Sequence, residues 1–320
     1  MMKNIKISLA AVLALSLTGC HHKELCYDHV HRVDIDVVFD WQNAPDATAK
    51  SMALYMYDTE TDEHLRYIFD NNEGGPISIP FGKYNGLCLN SDDTDWAIIR
   101  NEHDIEKFEI YTADAEALET TGLSTRTMPR ARATEEERVA KTPGMLWSDR
   151  QDAIDLPVTT THKTITFYPD EDICHYTVDI YDVEHITSIE GSALDGTISG
   201  MAEGYYHGKK QPTENVVTMP FILTLDETDK SLHSEFLTFG ECSGEKHDHT
   251  LTIYMSLDDG SKKYYNFDVT DQVADAPDPH NVHIIIHGLS IPNPLSDTGG
   301  FIPEVDDWEA VYINLNMNPR

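Results

Sequence analysis

The strongest constraint on this chain is a stretch in which every second residue is apolar. From His31 to Trp41, Val33, Ile35, Val37, Phe39 and Trp41 share one parity, while Asp34, Asp36 and Asp40 take the other. That period puts one set of side chains against a core and the other in water, the signature of a half-buried β-strand. Met52, Leu54 and Met56 repeat it, and residues 65–69, 77–79, 84–89, 97–100 and 108–111 follow in short runs. Asn71-Asn72-Glu73-Gly74-Gly75 supplies a turn. After an interruption the pattern resumes at 164–168, 174–181, 216–225, 233–239, 251–257, 263–269 and 281–287, with a last strand predicted within 308–317. Asp259-Gly260 makes a hairpin turn between two of these runs, because that pair tolerates positive φ. Short strands separated by turn chemistry predict antiparallel sandwiches.

The interruption runs from about 119 to 144. It is rich in threonine, carries Arg126, Arg130 and Arg132 followed by Glu135, Glu136 and Glu137, and is broken by Pro129 and Pro143. With little to bury, it reads as a mobile connection. The expected organisation is all-β: two tandem β-sandwich domains, residues 31–145 ending in a flexible loop and residues 146–320.

The N-terminus reads as an export signal over residues 1–19. Lys3 and Lys6 precede an apolar run from Ile7 to Leu17 that closes in Leu17-Thr18-Gly19-Cys20. Small residues directly before a cysteine distinguish lipoprotein processing from ordinary cleavage. The run is too short to span a bilayer, which needs ~20 residues. Cys20 is therefore the expected lipidation site, with residues 20–30 as tether and acyl chains such as palmitate as the membrane attachment.

The formal net charge is −33. A field of that sign repels phosphate backbones and anionic headgroups, which opposes nucleic-acid partners. With Cys20 acylated, Cys26, Cys88, Cys174 and Cys242 remain. Four cysteines allow three pairings, and buried free thiols are an equal alternative.

Chemistry-bearing patterns fail on inspection. His29/His31, His247/His249 and His280/His283 are close pairs, but no third ligand can be placed near either of the first two, and solvated surface histidines are expected. The acidic runs at 70–74 and 91–95 lack the glycine and glutamate spacing of a calcium loop. Gly196-Thr197-Ile198-Ser199-Gly200 imitates a nucleophile elbow but carries Ile198 where serine is required. No catalytic residue, metal site or cofactor is predicted. Tyr55, Tyr57, Tyr67, Tyr205, Tyr206, Tyr264 and Tyr265, with Trp41, Trp96, Trp147 and Trp308, motivate an alternative reading as a surface glycan-binding lipoprotein.

Several landmarks together resemble a known group. They are the segment from His22 to His29, Val38-Phe39-Asp40-Trp41, Gly82-Lys83-Tyr84-Asn85, Met145-Leu146-Trp147-Ser148-Asp149, Phe236 to Gly240, Phe267 to Val273, and Ala276-Pro277-Asp278-Pro279. The chain resembles an uncharacterised family of fimbrillin-like lipoproteins, similar to anchoring and accessory subunits of type V pili. That resemblance implies two transthyretin-like (Greek-key) sandwiches on a lipidated N-terminus, an outer-membrane and cell-surface location, and no enzymatic activity. It implies adhesion or pilus assembly by strand complementation, with other fimbrial subunits as partners. It also marks Arg32 as the candidate protease site and Trp308, Val311, Ile313 and Leu315 as the candidate donor strand.

Overall fold

A computed structural model of the protein describes residues 31–61, 63–132, 134–292 and 308–312. The signal segment, Cys20, the tether and Cys26 lie outside the described residues, as do Ile313 and Leu315. The described residues open with β1 (Arg32–Phe39), β2 (Met52–Asp58), β3 (His64–Phe69), β4 (Gly74–Pro80) and β5 (Gly82–Asn90). Three short strands follow: β6 (Ala97–Arg100), β7 (Glu109–Thr112) and β8 (Arg138–Val139). Then come β9 (Trp147–Leu156), β10 (Thr164–Phe167), β11 (Asp170–Glu171), β12 (Cys174–Tyr181), β13 (Ala193–Ala202), β14 (Gly204–Tyr206) and β15 (Gln211–Pro212). The last described elements are β16 (Val216–Asp226), β17 (Ser231–Thr238), β18 (Thr250–Ser256), β19 (Lys262–Asp268), helix α1 (Thr270–Ala274), β20 (Asn281–His287) and β21 (Glu309–Tyr312).

β1 forms where the alternation predicts it. Val33, Ile35, Val37 and Phe39 are buried, and Arg32, Asp34 and Val38 face water. β1 is the middle strand of the sheet β10-β1-β4, which packs on the sheet β11-β9-β5-β2-β3. Between them lies one core, to which β1 contributes with Met52, Leu54, Met56, Trp147 and Phe167.

β2 departs from the half-buried expectation. Met52, Leu54 and Met56 enter that first core, but Ala53, Tyr55 and Tyr57 enter a second core on the opposite face. A strand covered on both sides shows a continuous apolar run, and Met-Ala-Leu-Tyr-Met-Tyr is one.

The second core is enclosed by a sheet of order β20-β12-β17-β16-β13-β18-β19-β21. β12, β17 and β20 turn Tyr176, Val178, Ile180, Leu232, Val282, Ile284 and Ile286 into it, and β13, β16, β18 and β19 answer with Leu194, Ile198, Met219, Leu223, Ile253 and Phe267. The sheet thus folds back at the β16–β17 hairpin. Both halves are all-β sandwiches.

The expected division at 145/146 does not follow the hydrogen bonding. β9 returns to pair with β5, and β10 pairs parallel with β1, so residues 147–167 complete the first sandwich. Conversely β7 pairs with β14 and β8 with β16, so residues 109–139 serve the second. The predicted mobile loop is docked as well. The Thr120 and Thr121 N–H groups donate to the buried Asp195 carboxylate at 2.9 and 2.7 Å. Arg130 caps the carbonyls of Thr125, Thr134 and Glu137. Leu118, Met128 and Val139 pack on Tyr254. Polar anchoring replaces the apolar content that the segment lacks.

Candidate functional site

For a chain read as joining partners through strands, the relevant geometry is at its ends and sheet edges. Arg32 is exposed at the head of β1, and its guanidinium donates to the Ser78 carbonyl. The bond following it lies inside a ladder: His31 O accepts from Phe81 N–H at 3.1 Å, Arg32 faces Pro80, and Val33 faces Ile79. A protease needs an unpaired extended segment, so cutting at Arg32 requires this end of β1 to open first.

The last described strand, β21, lies parallel to β19 with Ala310 opposite Tyr264 and Val311 opposite Tyr265. The Trp308 ring meets Tyr254 edge-on at 5.6 Å, and Val311 packs against the second core. Of the candidate donor residues, these two are engaged by their own sandwich.

The opposite edge of that sheet is closed by a side chain. β20 is paired on one side with β12. On its other side the Gln272 amide, carried by α1, donates to Ile285 O at 3.1 Å and accepts from Ile285 N–H at 2.8 Å. A side-chain amide thereby occupies, at Ile285, both main-chain groups that a foreign strand would need there.

Where the sandwiches meet, the buried Ser148, Asp172 and His207 form a polar cluster that the part-exposed Lys210 closes from the surface. The Ser148 hydroxyl donates to Asp172 Oδ2, His207 Nδ1 lies 3.1 Å from both, and Lys210 Nζ donates to Asp172 Oδ1 at 2.9 Å and to Ser148 O at 2.6 Å. Burial alone would raise the Asp172 carboxyl, but the His207 and Lys210 contacts outweigh it and hold the group below the usual aspartate range. The residue types suggest a nucleophile relay, but the geometry differs. A relay places hydroxyl and carboxylate on opposite ring nitrogens. Here both crowd Nδ1, while Nε2 is buried without a partner. The cluster is a junction between sandwiches, and sequence reasoning missed it, because its members come from separate strands and loops that only the fold brings together.

A second charged cluster lies at β6, β7 and β8. Glu203 accepts hydrogen bonds from Arg100 at 3.0 Å and Asn215 at 2.9 Å, and forms an ion pair with Arg138 at 3.0 Å. The Arg100 guanidinium sits 3.6 Å over the Tyr111 ring. Burial raises the Glu203 carboxyl, yet the Asn215 and Arg100 hydrogen bonds bring it below its ordinary value.

Other expectations need correction. His249 is not a solvated histidine: it is buried, with Nδ1 3.1 Å from Ser199 O and Nε2 3.4 Å from Glu241. His283 does remain exposed, on Asp179 at 2.6 Å. Among the described residues no cluster of three or more His, Cys, Asp or Glu is arranged to hold a metal ion. Cys88, Cys174 and Cys242 are free thiols. Burial pushes Cys174 and Cys242 up to about 12, so neither is a ready thiolate at neutral pH. The aromatic face also fails: Tyr55, Tyr57, Tyr205, Tyr265 and Trp147 are buried, and the other six aromatics are half-buried. Gly196 lies on a strand under Phe221, where a Cβ would come within 2.4 Å of the ring, and not at a strand-to-helix turn. No helix among the described residues is long and apolar enough to cross a membrane.

Proteins similar to this chain include fimbrial subunits and candidate adhesins. A candidate fimbrium anchoring subunit of Bacteroides ovatus, Fim4B, is 21% identical over 212 residues, covering 65% of this chain and 58% of that protein. The chain thus matches less than two thirds of that relative's length. A candidate adhesin of Bacteroides ovatus superposes with a TM-score of 0.62 at 16% identity, over 87% of this chain and 99% of that one. The fimbrial anchor protein Mfa2 of Porphyromonas gingivalis gives 0.51 at 12% identity, over 80% and 91%. These superpositions establish a shared fold. Residues 19–222 match the model of the family DUF5119, a domain of unknown function, and the chain belongs to that family.

Proposed function

We propose that this chain is a non-enzymatic fimbrial anchoring or accessory subunit, held at the outer membrane by lipid on Cys20 and joined to its partners by strand complementation. The observation that carries the reading is the state of its two ends. β1 is hydrogen-bonded on both sides, to β4 and β10, and β21 is laid on its own β19. A subunit that lends its C-terminal strand to a neighbour leaves that edge of its own sheet open; here the edge is occupied. The weak likeness to a fimbrium anchoring subunit and the fold shared with a fimbrial anchor support the same reading.

In this reading Arg32 is not processed, Cys20 stays attached, and the segment bearing Trp308, Val311, Ile313 and Leu315 remains with its own domain. Affinity for a partner strand comes from main-chain hydrogen bonds and specificity from alternating side-chain pockets. Cross-linking of intact cells followed by capture of this chain should recover a ladder of fimbrial subunits. Recovery of monomer alone, from cells that display pili, contradicts the proposal.

A further inference from the structure

Between β16 and β17 the second sandwich is split. The hairpin pairs at Thr224–His233, Leu225–Leu232 and Asp226–Ser231, and its ladder goes no further. Yet β16 runs back to Val216 against β13, and β17 runs on to Thr238 against β12. The wide end of the split is plugged by the chain itself. Arg138 and Val139 of β8 lie parallel to Val217 and Thr218, and Ala140 N–H donates to Thr218 O at 3.0 Å. The next rung of a parallel ladder needs an N–H from position 220, which is proline. Proline has no donor, so pairing stops and the chain leaves the edge through Lys141, Thr142 and Pro143. A cavity of about 610 Å³ remains between Pro220, Phe221 and Ile222 on one wall and Glu235, Phe236 and Leu237 on the other.

Strand alternation decides which groups face this cavity. Thr218 O points toward β8 while Leu225 N–H points to Ser192 on the β13 side, so the main-chain groups of Pro220 and Ile222 look into the split. On the other wall Lys230 O is turned to Val183, which directs those of Glu235 and Leu237 inward. The floor is apolar, with Phe221 and Phe236 stacked at 4.4 Å between centroids. The rim is acidic: Glu116, Glu119 and Glu235 are exposed around it, and Lys141 is the cation among its lining residues. Asp195 also lines it, but its carboxylate is taken by Thr120 and Thr121.

We propose that this split accepts a short extended segment of a partner chain, apolar at alternate positions and basic beside them. The inference rests on the strand-complementation reading and assigns an acceptor to the second sandwich, away from both chain ends. A strand laid along β16 would pair with its inward main-chain groups and continue what β8 begins at the wide end. Its apolar side chains would cover the phenylalanine floor, and lysine or arginine would answer the three glutamates, in a chain of net charge −33.

The test uses the full-length lipoprotein in its own outer membrane, with the photo-cross-linker p-benzoylphenylalanine at Ile222. The control position is Val158, which is 74% exposed and belongs to the chain between β9 and β10. Irradiation should give adducts from position 222 and not from 158. Peptide mapping should place them on one extended segment of another secreted subunit, with alternating apolar residues and an adjacent base. Replacing Glu116 and Glu235 together by glutamine should lower the adduct yield about fivefold, as for two exposed ion pairs. Adducts that map only to this chain's residues 115–119 or 141–143 overturn the proposal, as do adducts on a partner's folded surface. If whole-cell cross-linking still yields fimbrial ladders in that case, the fimbrial reading stands without this cleft; if it yields none, both fall.

Discussion

The first and last described strands occupy opposite positions in their sheets. β1 is a central strand, paired with β4 at seven positions and with β10 at four, and its four inward side chains lie in the first core. β21 is an edge strand, paired at four positions with β19, and Trp308 and Val311 beside and within it are half-buried. A central strand leaves only when its sandwich unfolds, because both ladders and the core contacts are lost together. An edge strand can peel at the cost of one ladder. β1 is thus the firmer of the two strands, as the proposed anchoring role would require, and any exchange of β21 starts from an occupied edge.

The largest effect should come from breaking the firm end. Val37→Asp places a charge at the centre of β1, where the side chain is 1% exposed. It should cost about 4 kcal/mol or more by denaturant unfolding. A cost below 1 kcal/mol would mean that β1 is not a core strand.

The junction between the sandwiches comes next. Asp172→Asn removes the charge partner of Lys210, and breaking a buried pair costs about 3–5 kcal/mol. Lys210 is one-third exposed and can turn to water, so the lower end is expected. The pH dependence follows in sign. Asp172 is held below the usual aspartate range, so its contribution is complete above the unfolded value of about 3.9 and fades as pH falls through the lower folded value. The wild-type and Asp172→Asn unfolding midpoints should therefore converge in acid; a gap that widens in acid contradicts the assignment.

Trp308→Ala probes the looser end. It should cost about 1 kcal/mol, the scale of an edge-on aromatic pair with some burial, and leave the first sandwich untouched. The smallest stability effect is expected for Gln272→Ala, about 1 kcal/mol or less for two exposed hydrogen bonds. Its second consequence is association: freeing Ile285 on β20 should make the protein self-associate with concentration, seen by sedimentation. A variant that stays monomeric would show that Gln272 does not guard that edge.

Much of this architecture was legible locally. The alternation in β1, the Asp259-Gly260 turn and the parity of β20 are properties of adjacent residues, and the structure agrees with each. The misreadings share a cause. Tyr55 and Tyr57 were candidates for a sugar-binding face, but β2 is covered by a core on each side, and coverage is a tertiary property. The 119–144 segment looked mobile because it lacks apolar content, while its anchors, Asp195 and Tyr254, lie far along the chain. The 145/146 boundary failed because β9 returns to β5 across more than fifty residues, which no local pattern records. Of the candidate site, the ends were visible in sequence. The Gln272 seal and the Pro220 break were not, because each depends on which strand lies beside it.

The anchoring role depends on whether the N-terminal end stays attached. Intact-mass analysis of the protein extracted from its native outer membrane tests this most directly. The predicted result is a single species beginning at acylated Cys20, with the Arg32–Val33 bond uncut. A mature species beginning at Val33 without lipid would contradict the anchor reading and make Cys20 only a handle for export.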